Sequence, residues 1–226
     1  MNIIKPISDL MIEAIKFFYS FYPNYGVAII LLTVVVKIAL YPLSLQSTQQ
    51  MSAVQKIQPK LKELQKKHKE NPKELQEKTA ELYKSEGVNP LGGCLPMLLQ
   101  IPFFIALFFA VQGMKFSGPG AEFLWITDLS KPDPTYILVI LIALSTYWSQ
   151  KTMPQASEMQ TSAMNIVMPA FIAFVSAPFP SGVQVYWLAQ TVISAAQQAY
   201  ILKKIKSAAE GRPSGAQAVK KEEQDK

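Results

Sequence analysis

The 226-residue chain holds one cysteine, Cys94, and one histidine, His68. A single thiol closes no internal disulfide, and one imidazole beside it leaves no Cys/His set of the kind that holds zinc. Charge is scarce as well: 17% of residues are charged against 50% hydrophobic, a lean ratio for a chain surrounded by water. The scarcity is uneven. Charged residues crowd into 56–86, 115–133 and 203–226, and the runs between them carry almost none, which is the layout of a polytopic membrane protein. The apolar spans within those runs contain no Asp, Glu or His. They therefore lack the titratable side chains on which proton-coupled transport and intramembrane proteolysis usually depend. Gly92-Gly93 is followed by Cys94-Leu95-Pro96 and leads into an apolar run, so it is no phosphate loop of the GxxxxGK[ST] type. The first residues have neither a long apolar h-region nor a small-x-small site and are not read as a signal peptide.

What is present divides the chain into spans and connections. Ile7, Leu10, Met11, Ile15, Phe18 and Tyr22 recur at helical spacing, so 1–23 is expected to form an amphipathic helix on a membrane surface, with its aromatic cluster at the interface. Five apolar runs follow, expected as spans at about 25–48, 95–113, 136–151, 163–178 and 183–203. Residues 51–87 carry nine Lys and six Glu, and 203–226 carry seven basic and four acidic groups. By contrast, 114–135 carries two Lys against Glu122, Asp128 and Asp133. The bias of basic residues places the first two connections in the cytoplasm, with the N-terminus outside and the C-terminus inside. Within 51–87, Val54, Ile57, Leu61 and Leu64 repeat at steps of three and four. Asn71-Pro72-Lys73-Glu74 then supplies a cap, a first-turn proline and an acidic third residue, so an antiparallel helical hairpin is expected. Residues 207–226 are polar and expected to be a disordered cytoplasmic tail.

Lys37 carries the most information. It lies twelve residues after Tyr25 and nine before Gln46, about 18 Å and 14 Å from the two boundaries of its span at 1.5 Å per residue. A lipid-facing cation at that depth costs at least about 2.5–3.5 kcal/mol, and no span offers a carboxylate to pair it. Lys37 is therefore expected to face a polar cavity. Thr33, Gln100, Gln112, Ser145, Thr146, Ser149, Gln150, Gln184, Gln190, Thr191, Ser194 and Gln197 are the uncharged polar residues that the spans offer to line it. Singly, each is more often interhelical glue.

Several strings resemble the YidC family of membrane protein insertases, which includes the Oxa- and Alb-type organellar proteins. They are Asn24-Tyr25-Gly26, TVVVKIALYPL at 33–43, QPK at 58–60, ELYK at 81–84, VNPLGGCLPMLLQIPFFIALF at 88–108, WITDLSKPDPTYIL at 125–138 and FPSGVQVYW at 179–187. The resemblance implies an all-α integral membrane protein of five transmembrane helices around a hydrophilic, cytoplasm-facing groove, with no enzymatic reaction and no cofactor. It implies a groove charge at Lys37, where members commonly carry arginine, with Thr33 one turn earlier and groove-lining contacts at Phe103, Tyr186 and Trp187. Joined to the polar residues of the spans, this gives an expected site of Lys37, Thr33, Gln100, Gln150, Gln184 and Gln190 toward substrate and a hydrophobic slide of Phe103, Val175, Tyr186 and Trp187. The implied partners are nascent membrane proteins, the ribosome, the Sec translocon and the bilayer of the bacterial cytoplasmic membrane, with no small-molecule substrate. A small transporter or channel and a membrane assembly factor without insertion activity are the competing readings.

Overall fold

The computed structural model describes residues 4–93, 95–116, 118–152 and 164–210. Cys94, the first residue of the expected fourth span and the tail from 211 onward lie outside the described residues. Among those described the chain is all-helical: α1 Ile4–Phe21, α2 Tyr25–Ala39, α3 Tyr41–Lys67, α4 Pro72–Ser85, α5 Leu95–Gly113, α6 Ile137–Thr152, α7 Met164–Ser176 and α8 Ser181–Glu210, with a 3-10 turn at Pro90–Gly93.

Local chemistry sets the helix boundaries. The Asn24 side chain caps α2 by accepting the Val27 N–H at 3.0 Å, while its amide nitrogen donates to the Glu122 carbonyl at 2.9 Å. The cap therefore fixes both the helix start and the 114–135 loop above it. α2 does not run on to residue 48. It ends at Leu40, and α3 begins with Pro42 in its first turn, where the missing N–H of proline is tolerated. From Tyr41 the chain is one helix to Lys67, so the last third of the expected first span is continuous with the first arm of the hairpin. Asn71 caps α4 by accepting the Glu74 N–H at 3.3 Å.

α1 packs on α2 and α5. Its buried face is Ser8, Met11 and Ile15, while Leu10, Phe17 and Phe21 stay exposed on another. The single apolar face read from the sequence is thus divided in two. Exposed Asp9, Glu13 and Lys16 form the remaining stripe.

The core gathers at the end of the bundle that carries the 114–135 loop, where Ala28, Ile29, Ala106, Leu107, Ala110, Val111, Leu129 and Val183 are buried together with Met11 and Ile15. Small residues set the spacing there. A Cβ on Gly182 would lie 3.1 Å from Val111 and 3.2 Å from the Leu129 carbonyl, so glycine lets the start of α8 sit against α5 and the loop. α8 also packs along α2 and α6, and α7 packs on α6.

The outer surface is apolar. Phe109, Ile140, Leu144, Trp148, Phe171 and Phe174 are all exposed, Phe174 to 80%. Among the described residues no single helix is long and apolar enough to cross a membrane. α1 and α2 meet that requirement together, but they bend by 116° at their junction.

Candidate functional site

Lys37 lies in the last turn of α2, and its ammonium group donates to the Ser194 hydroxyl of α8 at 2.7 Å. Gln197, nearly one turn further along α8, donates its amide N–H to the Lys37 carbonyl at 3.3 Å. Around the ammonium a polar cavity opens between Ser44, Ser47 and Thr48 of α3 and Ser194, Gln197 and Gln198 of α8. Its volume open to the centres of water molecules is about 70 Å³, enough for several waters. None of the lining residues is acidic. The break at Leu40 places α3 beside Lys37, and the hydroxyls of Ser44 and Thr48 fall one helical turn apart on the cavity side. These hydroxyls donate to carbonyls, Ser44 to Leu40 at 3.1 Å, Thr48 to Ser44 at 2.8 Å and Ser47 to Gly93 at 2.7 Å. A hydroxyl whose proton is engaged in this way keeps its oxygen lone pairs for an incoming donor.

A second surface lies between α5 and α8. Phe103 stacks on Tyr186 with ring centroids 5.9 Å apart, and Phe104 meets Trp187 edge-on at 5.2 Å. Gln100 donates its amide N–H to the Tyr186 hydroxyl. An open, mainly apolar cavity of about 270 Å³ is lined by Gln100, Ile101, Phe104, Tyr186, Trp187 and Gln190. Phe103, Tyr186 and Trp187 are therefore one cluster, with Gln100 and Gln190 at its edge, but Tyr186 is 2% exposed and belongs to the core behind the surface instead of to the slide itself.

The other residues singled out from the sequence go elsewhere. Thr33 is 1% exposed and its hydroxyl donates to the Ile29 carbonyl at 2.7 Å within its own helix. Gln184 is fully buried, and its amide nitrogen donates to the carbonyls of Ser176, Ala177 and Phe179 at 2.9, 3.3 and 3.1 Å. It ties the α7–α8 turn, about ten residues and 15 Å of helix away from Ser194. Val175 is half-buried on α7 and lines neither cavity. Gln150 lies on α6, and its side-chain oxygen is buried with no hydrogen-bond partner among the described residues, as are those of Thr146, Gln184, Gln190 and Gln198. Ser44, Ser47, Thr48 and Gln198 were not singled out from the sequence. The signal for the first three was the hydroxyl spacing in LSLQSTQQ, legible once the helix is restarted after Pro42.

The family model described as 60Kd inner membrane protein matches residues 17–209. The chain belongs to this family. Relatives named membrane protein insertase YidC include that of Geotalea daltonii, 40% identical over 195 residues that make up 86% of this chain and 37% of the relative. That of Geobacter sp. strain M21 is 40% identical over 200 residues, 88% of this chain and 37% of the relative. The 60Kd inner membrane protein fold is also seen in a crystal structure of an active YidC insertase with its first transmembrane domain resolved. That structure has a TM-score of 0.69 and 29% identity, covering 85% of this chain and 46% of the solved one. The chain spans a little over a third of the length of the relatives it matches.

Proposed function

We propose that this chain is the working core of a membrane protein insertase and chaperone of the bacterial cytoplasmic membrane. The observation that carries the reading is Lys37, a cation held by a serine hydroxyl in a polar cavity without a carboxylate, inside a bundle whose outer surface is apolar. The reading embeds α2 with the start of α3, then α5, α6, α7 and α8 as five spans. The N-terminus lies outside, and the α3–α4 hairpin and C-terminus lie in the cytoplasm. Nineteen residues of α5 reach about 28 Å at 1.5 Å per residue, close to the roughly 30 Å hydrocarbon core. The shorter α7, thirteen residues, calls for a locally thinned bilayer.

Insertion on this reading makes and breaks no covalent bond. An acidic or polar tail entering from the cytoplasm exchanges part of its water for the Lys37 ammonium and for the hydroxyls and amides around it. This lowers the cost of carrying polar groups to a depth where each unpaired one costs several kcal/mol. The hydrophobic segment behind the tail moves along Phe103, Phe104 and Trp187, which the buried Tyr186 backs, into lipid, and burial of its apolar surface drives the step forward. The α3–α4 hairpin, whose second arm α4 buries no residue among those described, extends into the cytoplasm to receive the nascent chain from the ribosome, with the protein working alone or beside the Sec translocon in the membrane.

The test is insertion of a single-span protein with an acidic translocated tail into liposomes carrying the wild type, Lys37→Arg or Lys37→Ala. Activity retained with arginine and lost with alanine supports the half-buried cavity charge as the working element. Equal insertion by all three removes that role from Lys37 and leaves the aromatic surface on α5 and α8 to do the work.

A further inference from the structure

α3 carries amides and hydroxyls on two faces. Ser44, Ser47 and Thr48 turn toward Lys37, whereas Gln46, Gln49 and Gln50 lie on the adjoining face, across Ser47, and line a different cavity of about 290 Å³ together with Asn89 and Gly92. No charged residue lines this second cavity. Ser47 borders both, and its hydroxyl is fixed by the Gly93 carbonyl.

The far wall is the turn 90–93, and its glycines bring it close. A Cβ on Gly93 would come within 2.7 Å of Met51 Cγ, and one on Gly92 within 3.0 Å of Gln50 Cγ. Gln50 holds the corner by accepting the Asn89 backbone N–H at 3.2 Å, while Gln46 and Gln49 remain exposed. Gln46 marks the cytoplasmic boundary of its span, so this face lies at the mouth of the membrane, where polar groups on each face of a helix call for polar neighbours or water. α8 supplies that neighbour on the Lys37 side.

We infer that the second cavity is a vestibule that binds the backbone of an extended polar polypeptide segment and passes it across Ser47 to the Lys37 cavity. This inference rests on the insertase reading above. A carboxamide carries both donors and an acceptor, so it pairs with a peptide group whatever side chain stands next to it. With no charge in the lining, the vestibule does not sort segments by sign. Sorting happens one cavity further in, at Lys37.

A photoreactive residue placed at Gln49 or at Gln198 in the full chain in proteoliposomes tests this. The probes are single-span proteins whose translocated tails have equal length and are acidic, neutral or basic. Crosslinks from position 49 are expected in equal yield for all three tails, and those from position 198 are expected to favour the acidic tail several-fold. The double variant Gln46→Ala/Gln49→Ala is expected to slow all three alike, by about fivefold for one net hydrogen bond. Crosslinks at 198 without any at 49, or a yield at 49 that follows tail charge, overturn the vestibule and leave the insertase reading standing. No crosslink at either position together with no insertion overturns that reading itself.

Discussion

The two ends of the bundle treat their polar groups in opposite ways. At the end where 114–135 meets the α7–α8 turn, Asp133 accepts the Leu138 N–H and the Thr135 N–H at 2.9 Å each. It also accepts the Thr135 hydroxyl at 2.7 Å and the Trp125 indole N–H at 3.3 Å. Beside it, the Ser181 N–H and hydroxyl both donate to the Lys131 carbonyl, at 2.7 and 2.6 Å, and the Gly182 N–H donates to the Leu129 carbonyl at 2.9 Å. At the Lys37 end a half-buried ammonium donates to one hydroxyl, and the Gln190 and Gln198 oxygens have no partner among the described residues, whereas the first end leaves one such acceptor, the Gln184 oxygen. Hydrogen bonds between loop and helices fix the first end. The second keeps donors and acceptors available, which is what a polypeptide in transit needs.

The largest effect that would sharpen this contrast is at Gly120. Its φ of +75° suits glycine, and an added Cβ would overlap the Pro23 carbonyl. Gly120→Ala is therefore expected to cost about 3 kcal/mol or more, read as a lower Tm in detergent. Unchanged Tm would mean that the loop is not locked to the α1–α2 corner. Next comes Gln184→Leu, which leaves three carbonyls at the turn without their donor. A loss of about 2 kcal/mol is expected, with insertion by the surviving folded protein independent of tail charge. A charge-dependent defect would place Gln184 in the groove after all.

Asp133 offers a pH signature. Burial pushes its carboxyl upward, but the hydrogen bonds from Leu138, Thr135 and Trp125 outweigh burial and hold it below the usual carboxylate range. The folded state therefore binds the proton less readily than the unfolded one. The resulting stability is fully present above the unfolded value of about 3.9 and is lost as pH falls through the depressed folded value. Titrating Tm downward from pH 6, wild type is expected to lose more than Asp133→Asn. Parallel curves would contradict this. The smallest effect belongs to the hairpin, where Lys60 meets Glu86 in a largely exposed pair. Lys60→Ala is expected to shift stability by less than about 0.5 kcal/mol, and a larger loss would show that the hairpin is more than a loosely held arm.

The contrast also marks where sequence reading runs out. The helical class, the family and the isolation of Lys37 are legible, because runs without charge and one cation among them are one-dimensional facts. The division at Leu40 is harder to read, since Pro42 is compatible both with a continuing span and with the first turn of a new helix. Gln184 and Gln190 look alike in the sequence, yet only the fold shows one tied to three carbonyls and the other bordering the α5–α8 surface. α1 misleads for a related reason: its periodicity reveals apolar positions, but which of two apolar faces turns inward depends on α2 and α5. Ser8 is therefore buried while Leu10 is exposed.

The most direct test of the central claim compares two substrates that differ only in the tail, one acidic and one neutral, each inserted by the wild type and by Lys37→Ala. If the unpaired ammonium recognises the tail, alanine slows the acidic substrate by about tenfold or more, the loss of a charge-assisted hydrogen bond, and slows the neutral one far less. Equal slowing of both tails, or of neither, would contradict it.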